Sequence, residues 1–128
     1  MSEIRATTIS DEAGTGPIAL TKQSAAKMWC QWDNHSGFTI KETFNTSSLT
    51  DTAAGRTTIA IASNMSSADY CSQAQSCHPG ASQTLYVGNI NTQTASSIEF
   101  RGRAQAGSTT TGLDDNDYNA VTSHGDLA

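Results

Sequence analysis

Thiols and imidazoles are the side chains of this sequence best suited to hold a metal ion. The candidate ligands are Cys30, His35, Cys71, Cys77, His78 and His124. Structural zinc sites usually pair cysteines that are about two to four residues apart. The spacing of Cys71 and Cys77 on one strand would instead aim both sulfurs to the same face, about 20 Å apart. The sequence therefore favours three reduced, buried or interfacial thiols, and no metal or other cofactor is expected.

An acidic run near the C-terminus has the composition of a calcium-binding loop. It comprises Asp114, Asp115, Asn116 and Asp117. The run lacks the glycine and the distal glutamate of a helix-loop-helix calcium site. A solvated acidic loop is the favoured interpretation.

Carboxylates placed for catalysis are sparse. Glu42 falls between Ile40 and Phe44, at an inward-facing position of its expected strand. Burial there would raise the pKa of the Glu42 carboxyl group, as in a catalytic acid. Glycan hydrolysis needs two carboxyl groups about 5–9 Å apart. A place at a strand edge, or a subunit salt bridge with Lys41, Arg56 or Arg101, explains Glu42 better. No Gly-x-Ser-x-Gly nucleophile motif is present either. The sequence therefore predicts no enzymatic activity and no catalytic residue.

Aromatic residues suggest an interface. Trp29, Trp32 and Tyr70 could form a platform for stacking sugars. However, Trp29 has the opposite strand phase to Trp32, so both faces of its strand are expected to be covered, one by the core and one by another subunit. The expected interface residues are Trp29, Trp32, Phe44 and Tyr70.

The overall composition indicates β structure with a thin core. Only 18 of 128 residues are Ile, Leu, Val or Phe, whereas 48 are Ser, Thr, Asn or Gln. The net charge of −5, without a dense basic cluster, makes nucleic acid an improbable partner. No run of 18 apolar residues exists, so membrane insertion is not expected. The N-terminal residues also lack the pattern of a secretory signal, which predicts production in a cytoplasm.

Apolar residues recur with period two from residue 26 onward, as in half-buried strands. Strands are expected at 28–32, 38–44, 57–62, 69–76, 84–90, 97–104 and 118–123, the first two joined by a five-residue loop. The residues expected to face inward are Met28, Cys30, Trp32, Phe38, Ile40, Phe44, Ile59, Ile61, Leu85, Val87, Ile98, Phe100 and Val121. The segment 106–116 is expected to be a long loop. This pattern predicts an all-β sandwich or jelly-roll-like domain over residues 26–128.

Residues 1–25 differ from the rest of the chain and are expected to form an extended anchoring arm. Its large apolar residues, too scattered for a helix face, are Ile4, Ile9, Ile18 and Leu20. Such residues suit an arm laid along another chain. Because about a dozen large inward side chains stabilise a domain of this length poorly, self-association is expected.

Several short motifs resemble a block found in short virion proteins of tailed bacteriophages, often called tail-fibre proteins, especially in phages of marine bacteria. They are Ala26-Lys27-Met28-Trp29, the stretch from Phe44 to Asp51, Gly55-Arg56-Thr57-Thr58, Asn64-Met65 and Ala68-Asp69-Tyr70. The resemblance covers residues 26 to about 70, and His124-Gly125-Asp126 stands where the family closes on Phe-Gly-Asp. It implies a β-rich, trimeric domain on a phage particle, attached through the N-terminal arm.

The sequence thus predicts a non-enzymatic virion structural protein, a short tail-fibre-like appendage. Its expected partners are copies of itself and other phage structural proteins of the tail or capsid, with host surface glycan as a further candidate. A capsid decoration protein, of the cement or head-fibre kind, is the main alternative. A carbohydrate-binding module is the third.

Overall fold

The computed structural model describes residues 25–78, 84–106 and 112–128. The expected arm, with Ile4, Ile9, Ile18 and Leu20, lies outside these residues. The described residues form strands and turns but no helix. They therefore contain no helix that could span a membrane. The predicted all-β class is confirmed.

Eight strands form two antiparallel four-stranded sheets. They are β1 (Met28–Asp33), β2 (Thr39–Phe44), β3 (Thr46–Ala53), β4 (Arg56–Ile61), β5 (Cys71–Cys77), β6 (Thr84–Gln93), β7 (Ser97–Ala106) and β8 (Tyr118–His124). The first sheet has the order β2-β1-β8-β5, and the second has the order β3-β4-β7-β6. The predicted β1–β2 hairpin is therefore present.

The core lies between the two sheets and is built from alternate residues of the central strands, together with Leu49 of β3 and with Met65 and Tyr70 from the segment between β4 and β5. Its members are Met28, Cys30, Trp32, Leu49, Ile59, Ile61, Met65, Tyr70, Ile98, Phe100 and Val121. Trp32 contacts Phe100 edge to face, with ring centroids 4.8 Å apart. The Trp32 indole donates a 3.1 Å hydrogen bond to Thr57 Oγ1, which satisfies the only polar atom of the buried ring.

Edge strands account for the inward positions that were predicted wrongly. Every residue of β2 is exposed, including Ile40, Glu42 and Phe44. Glu42 is therefore not a buried acid. Val87, on the edge strand β6 of the second sheet, is exposed because its neighbour Gly88 takes the inward phase. A Cβ atom at Gly88 would come within 2.8 Å of the Phe100 ring, so only glycine allows this close approach.

Two left-handed backbone positions fix the connections around β3, a strand that the sequence did not predict. Asn45 has φ of 54° between β2 and β3. Its side chain donates to the carbonyl oxygens of Lys27 and Ser63 and accepts from Ser63 N. Gly55 has φ of 64° in the tight turn between β3 and β4.

Candidate functional site

Two histidines and an aspartate meet at one end of the sandwich. His35 lies in the β1–β2 turn, His78 directly follows β5, and Asp117 directly precedes β8. Nδ1 of His35 is 3.1 Å from Asp117 Oδ1, and Nδ1 of His78 is 2.7 Å from Asp117 Oδ2. One ligand atom from each residue lies within 4.8 Å of the other two. We call these three residues the His-His-Asp cluster.

The two imidazoles of the cluster differ in their surroundings. His35 is half exposed, whereas only about a fifth of the His78 side chain is accessible. Their ring centroids are 4.3 Å apart, and His78 also contacts the ring of Tyr86. Nδ1 of His78 is buried and, among the described residues, makes no hydrogen bond of acceptable geometry, although Asp117 Oδ2 lies 2.7 Å away. This nitrogen is therefore the atom of the cluster that most lacks a hydrogen-bond partner.

Directly beside the cluster lies a buried polar network of Asn34, Ser76, Asn116 and Asn119. Asn119 Nδ2 donates to Asn34 Oδ1 at 2.6 Å and to the Asn116 carbonyl at 2.8 Å. Ser76 Oγ donates to Asn119 Oδ1 at 2.8 Å and accepts from Asn116 Nδ2 at 2.6 Å. These bonds join the β1–β2 turn, the end of β5 and the segment before β8.

Asp115 extends this network to the other sheet. Its Oδ1 accepts from Asn34 Nδ2 at 3.0 Å and from Gly55 N at 2.7 Å. Gly55 O in turn accepts from Gly102 N at 2.8 Å. The acidic run predicted as a solvated loop is thus partly built into the structure, since Asp115 has defined partners and Asn116 is fully buried.

A second feature is the outer face of the β2-β1-β8-β5 sheet. Cross-strand neighbours project to the same face, and the pairing places two rows of side chains there. They are Phe44, Trp29, Thr122 and Gln73 in one row and Glu42, Gln31, Ala120 and Gln75 in the other. We call these eight residues the outer face.

Small residues make the outer face hollow near β8. One depression of about 540 Å³ is lined by Gln73, Ala74, Gln75, Ala120 and Thr122. Another, of about 260 Å³, is lined by Gln31, Gln75, Cys77, Tyr118, Asn119 and Ala120. The two share Gln75 and Ala120, so they adjoin. The side chains that line the two depressions include the amides of Gln31, Gln73 and Gln75 and the ring of Tyr118.

The four predicted interface residues separate into two pairs. Phe44 is about half exposed on the outer face, and Trp29 beside it is half buried. Trp32 and Tyr70 are buried in the core, where the Tyr70 hydroxyl donates to the Thr94 carbonyl at 2.8 Å. The sugar-stacking platform of Trp29, Trp32 and Tyr70 is therefore not assembled on a surface of this chain.

The three cysteines are free thiols, as the sequence predicted. Cys30 is buried, and desolvation raises its pKa to about 12, partly opposed by its hydrogen bond with the Val121 backbone. Cys71 and Cys77 are exposed at opposite ends of β5. Among the described residues, the potential three-ligand cluster contains no cysteine.

Sequence reasoning missed the His-His-Asp cluster. His35 and His78 were weighed only beside the cysteines, and Asp117 only as part of a calcium loop. The missing information was the pairing of β8 with both β1 and β5, which brings the ends of these strands together. No local pattern marks the cluster, because uncharged hydrogen-bonding residues such as Asn34, Ser76 and Asn116 make up 48 of the 128 residues.

Neither a protein-family model, nor a curated protein, nor a solved structure matches this chain.

Proposed function

We propose that this chain is a non-enzymatic structural subunit that assembles as a homotrimer through the outer face of its first sheet. The observation that carries the proposal is the pairing of Phe44, on the edge strand β2, with Trp29 on β1. Every residue of β2 is exposed. Large apolar groups on an edge strand favour association when they are placed together. The occupant proposed for this face is a second copy of the chain.

The free edge of β2 supports this occupant. Phe44 is 51% exposed on the outer face, and Ile40, which pairs with core residue Trp32 and so projects to the other face, is 48% exposed. Among the described residues, no strand pairs with the far edge of β2. A neighbouring copy would cover Phe44 and pair with that edge. The core of this domain is small, so few large apolar residues stabilise the fold from within. Burial of Phe44 and Trp29 against another copy would add to that stability.

The particle in which this subunit would act is a tailed bacteriophage virion. The support is the sequence resemblance over residues 26 to about 70, which includes both partners of the Phe44–Trp29 pair. A short tail-fibre-like appendage is the proposed form, attached through the N-terminal arm. Capsid decoration by the same trimer is the alternative location within this class.

Matched charge substitutions test the interface. Phe44→Arg is expected to convert the trimer to monomers in light scattering, because it places a charge within the apolar contact. Val87→Arg changes a residue of comparable exposure on the other sheet and should leave the mass unchanged. Equal masses for both variants, or dissociation by Val87→Arg alone, would exclude the outer face as the interface.

Localisation on particles tests the wider role. An antibody against the purified chain, imaged on particles of the phage that encodes it, is expected to label the tail. Label spread over the whole capsid would replace the fibre assignment with decoration. Particles that lack the protein altogether would overturn the virion proposal.

Glycan binding is the second candidate function, and the depressions of the outer face favour it. Gln31 and Gln75 amides beside Tyr118 offer the donors, acceptors and aromatic surface that sugars use. Glycan-array binding that is lost in Gln75→Ala but kept in Asn64→Ala, which changes an exposed amide outside the outer face, would support this role. No binding by the intact chain would remove it.

A further inference from the structure

We propose that the His-His-Asp cluster is a binding site for a divalent transition-metal ion of the Zn²⁺ class. The ligands are His35, His78 and Asp117, with water completing the coordination. This site is separate from the interface proposed above and does not depend on it.

The ligand chemistry fits this class of ion. Two imidazole nitrogens and one carboxylate oxygen form a donor set that zinc and related ions bind, with one position left for water. Ca²⁺ and Mg²⁺ prefer six or more oxygen ligands, which this cluster does not offer. The neighbouring Asp114 and Asp115 add negative charge that favours a cation over an anion.

The ligand atoms, which lie within 4.8 Å of one another, must rearrange to bind one ion. Bonds of about 2.0–2.1 Å at tetrahedral angles place ligand atoms about 3.3 Å apart. The distance from His35 Nδ1 to Asp117 Oδ1 is 3.1 Å, and that from His78 Nδ1 to Asp117 Oδ2 is 2.7 Å. His35 is half exposed on a turn, so its side chain can rotate to close the remaining separation between the imidazoles.

Nδ1 of His78 is the observation that points most directly to a ligand. This nitrogen is buried, and within the described part of the chain no hydrogen-bond partner of acceptable geometry reaches it, although a carboxylate oxygen lies 2.7 Å away. A buried polar atom without a partner is uncommon. An ion bound between this nitrogen and Asp117 would satisfy both, with the imidazole proton on Nε2.

Each ligand is also held next to a member of the buried network. Asn34 precedes His35, Asn116 precedes Asp117, and Ser76 lies two residues before His78. Since Asn119 bonds to Asn34, Ser76 and the Asn116 backbone, one side chain sets the spacing of all three ligand segments. Rigid supporting contacts of this kind orient ligands for metals. A bound ion would in turn cross-link the β1–β2 turn to the ends of β5 and β8.

Titration of the full chain with ZnCl₂ in a calorimeter tests the site. We expect one Zn²⁺ per chain, and Co²⁺ at the same site is expected to show visible absorption typical of four-coordinate nitrogen and oxygen ligation. His78→Ala and Asp117→Asn should each weaken binding at least about tenfold. His124→Ala removes the remaining histidine, which lies outside the cluster, and should leave the affinity unchanged.

Two further variants keep the test decisive if a substitution disturbs folding. His35→Ala changes a half-exposed turn residue and should weaken binding while preserving the circular dichroism spectrum. Cys71→Ser with Cys77→Ser removes both exposed thiols and should not alter binding. The proposal is overturned if the intact chain binds no Zn²⁺, if His35→Ala binds normally, or if loss of the thiols abolishes binding.

Discussion

Asn34 and Asn119, 85 residues apart in the sequence, are joined by a buried 2.6 Å hydrogen bond between their side-chain amides. The bond links the first hairpin turn to the last strand of the same sheet. Asn119 also accepts from Ser76, so its amide has partners in three separate segments. This one side chain therefore connects the packing of the first sheet with the geometry of the proposed metal site.

Asn119→Ala is expected to lower the free energy of unfolding by about 1–3 kcal/mol, because it leaves buried Asn34 Oδ1 without its donor and the buried Ser76 hydroxyl without its acceptor. Urea denaturation followed by fluorescence measures the change. Asn64→Ala, at an exposed asparagine, should shift stability by no more than about 0.5 kcal/mol. Equal effects from the two substitutions would show that the network contributes nothing specific.

Thr57→Val tests the hydrogen bond to the Trp32 indole. The substitution keeps the side-chain shape but leaves a fully buried N–H without an acceptor, which is expected to cost about 1–3 kcal/mol of stability. Thr58→Val, the next residue on β4, is the control and is expected to be nearly neutral because its side chain is only half buried. Thermal unfolding of both proteins separates the two outcomes, and a neutral Thr57→Val would contradict the assignment.

Asn45 combines a left-handed backbone with three side-chain hydrogen bonds. Asn45→Ala is expected to destabilise more than Asn45→Gly, since alanine adds about 1–2 kcal/mol of backbone strain at positive φ. Both variants lose the side-chain bonds, so their difference isolates the strain. Denaturant midpoints in which alanine equals or exceeds glycine would rule out this backbone conformation.

Burial of the Cys30 thiol predicts a stability that falls at alkaline pH. The folded pKa is raised from its ordinary value of 9.0 to about 12, so the unfolded thiol ionises first as pH rises. The contribution of Cys30 is complete below 9.0 and is lost between that pH and about 12. Burial also raises the pKa of Tyr70, which acts in the same direction.

Alkaline unfolding curves of two alanine variants separate the thiols. Cys30→Ala should lessen the slope of stability against pH, while Cys71→Ala, which keeps both Cys30 and Tyr70, should not. An aromatic disulfide reagent is expected to modify Cys71 and Cys77 in the native chain and Cys30 only after unfolding. Rapid native reaction of all three thiols would contradict the buried position of Cys30.

Central strands were predictable from the sequence because burial imposes period two on them. Met28, Cys30 and Trp32 alternate with exposed or half-buried neighbours, and all three are in the core. Strand β3 was not predictable, because Leu49 is its only buried residue and every other residue except Ala53 is polar. Local alternation carries no signal where an edge strand faces solvent on both sides.

The candidate metal site could not be predicted because it depends on strand register. His35 and His78 come together only when β1 and β5 both pair with β8 in one alignment. A shift of one residue would turn Asn119 and Val121 outward. The spacing of Cys71 and Cys77 correctly indicated that the two thiols lie apart, at opposite ends of β5. The approach of the two imidazoles could be recognised only from the pairing of β8 with β1 and β5.

Sedimentation velocity of the full chain across a range of concentrations tests the proposed self-assembly most directly. The account predicts a species of three times the 13.4 kDa chain mass that persists on dilution and dissociates in Phe44→Arg. A folded, heat-resistant species of one chain mass at every concentration would contradict it.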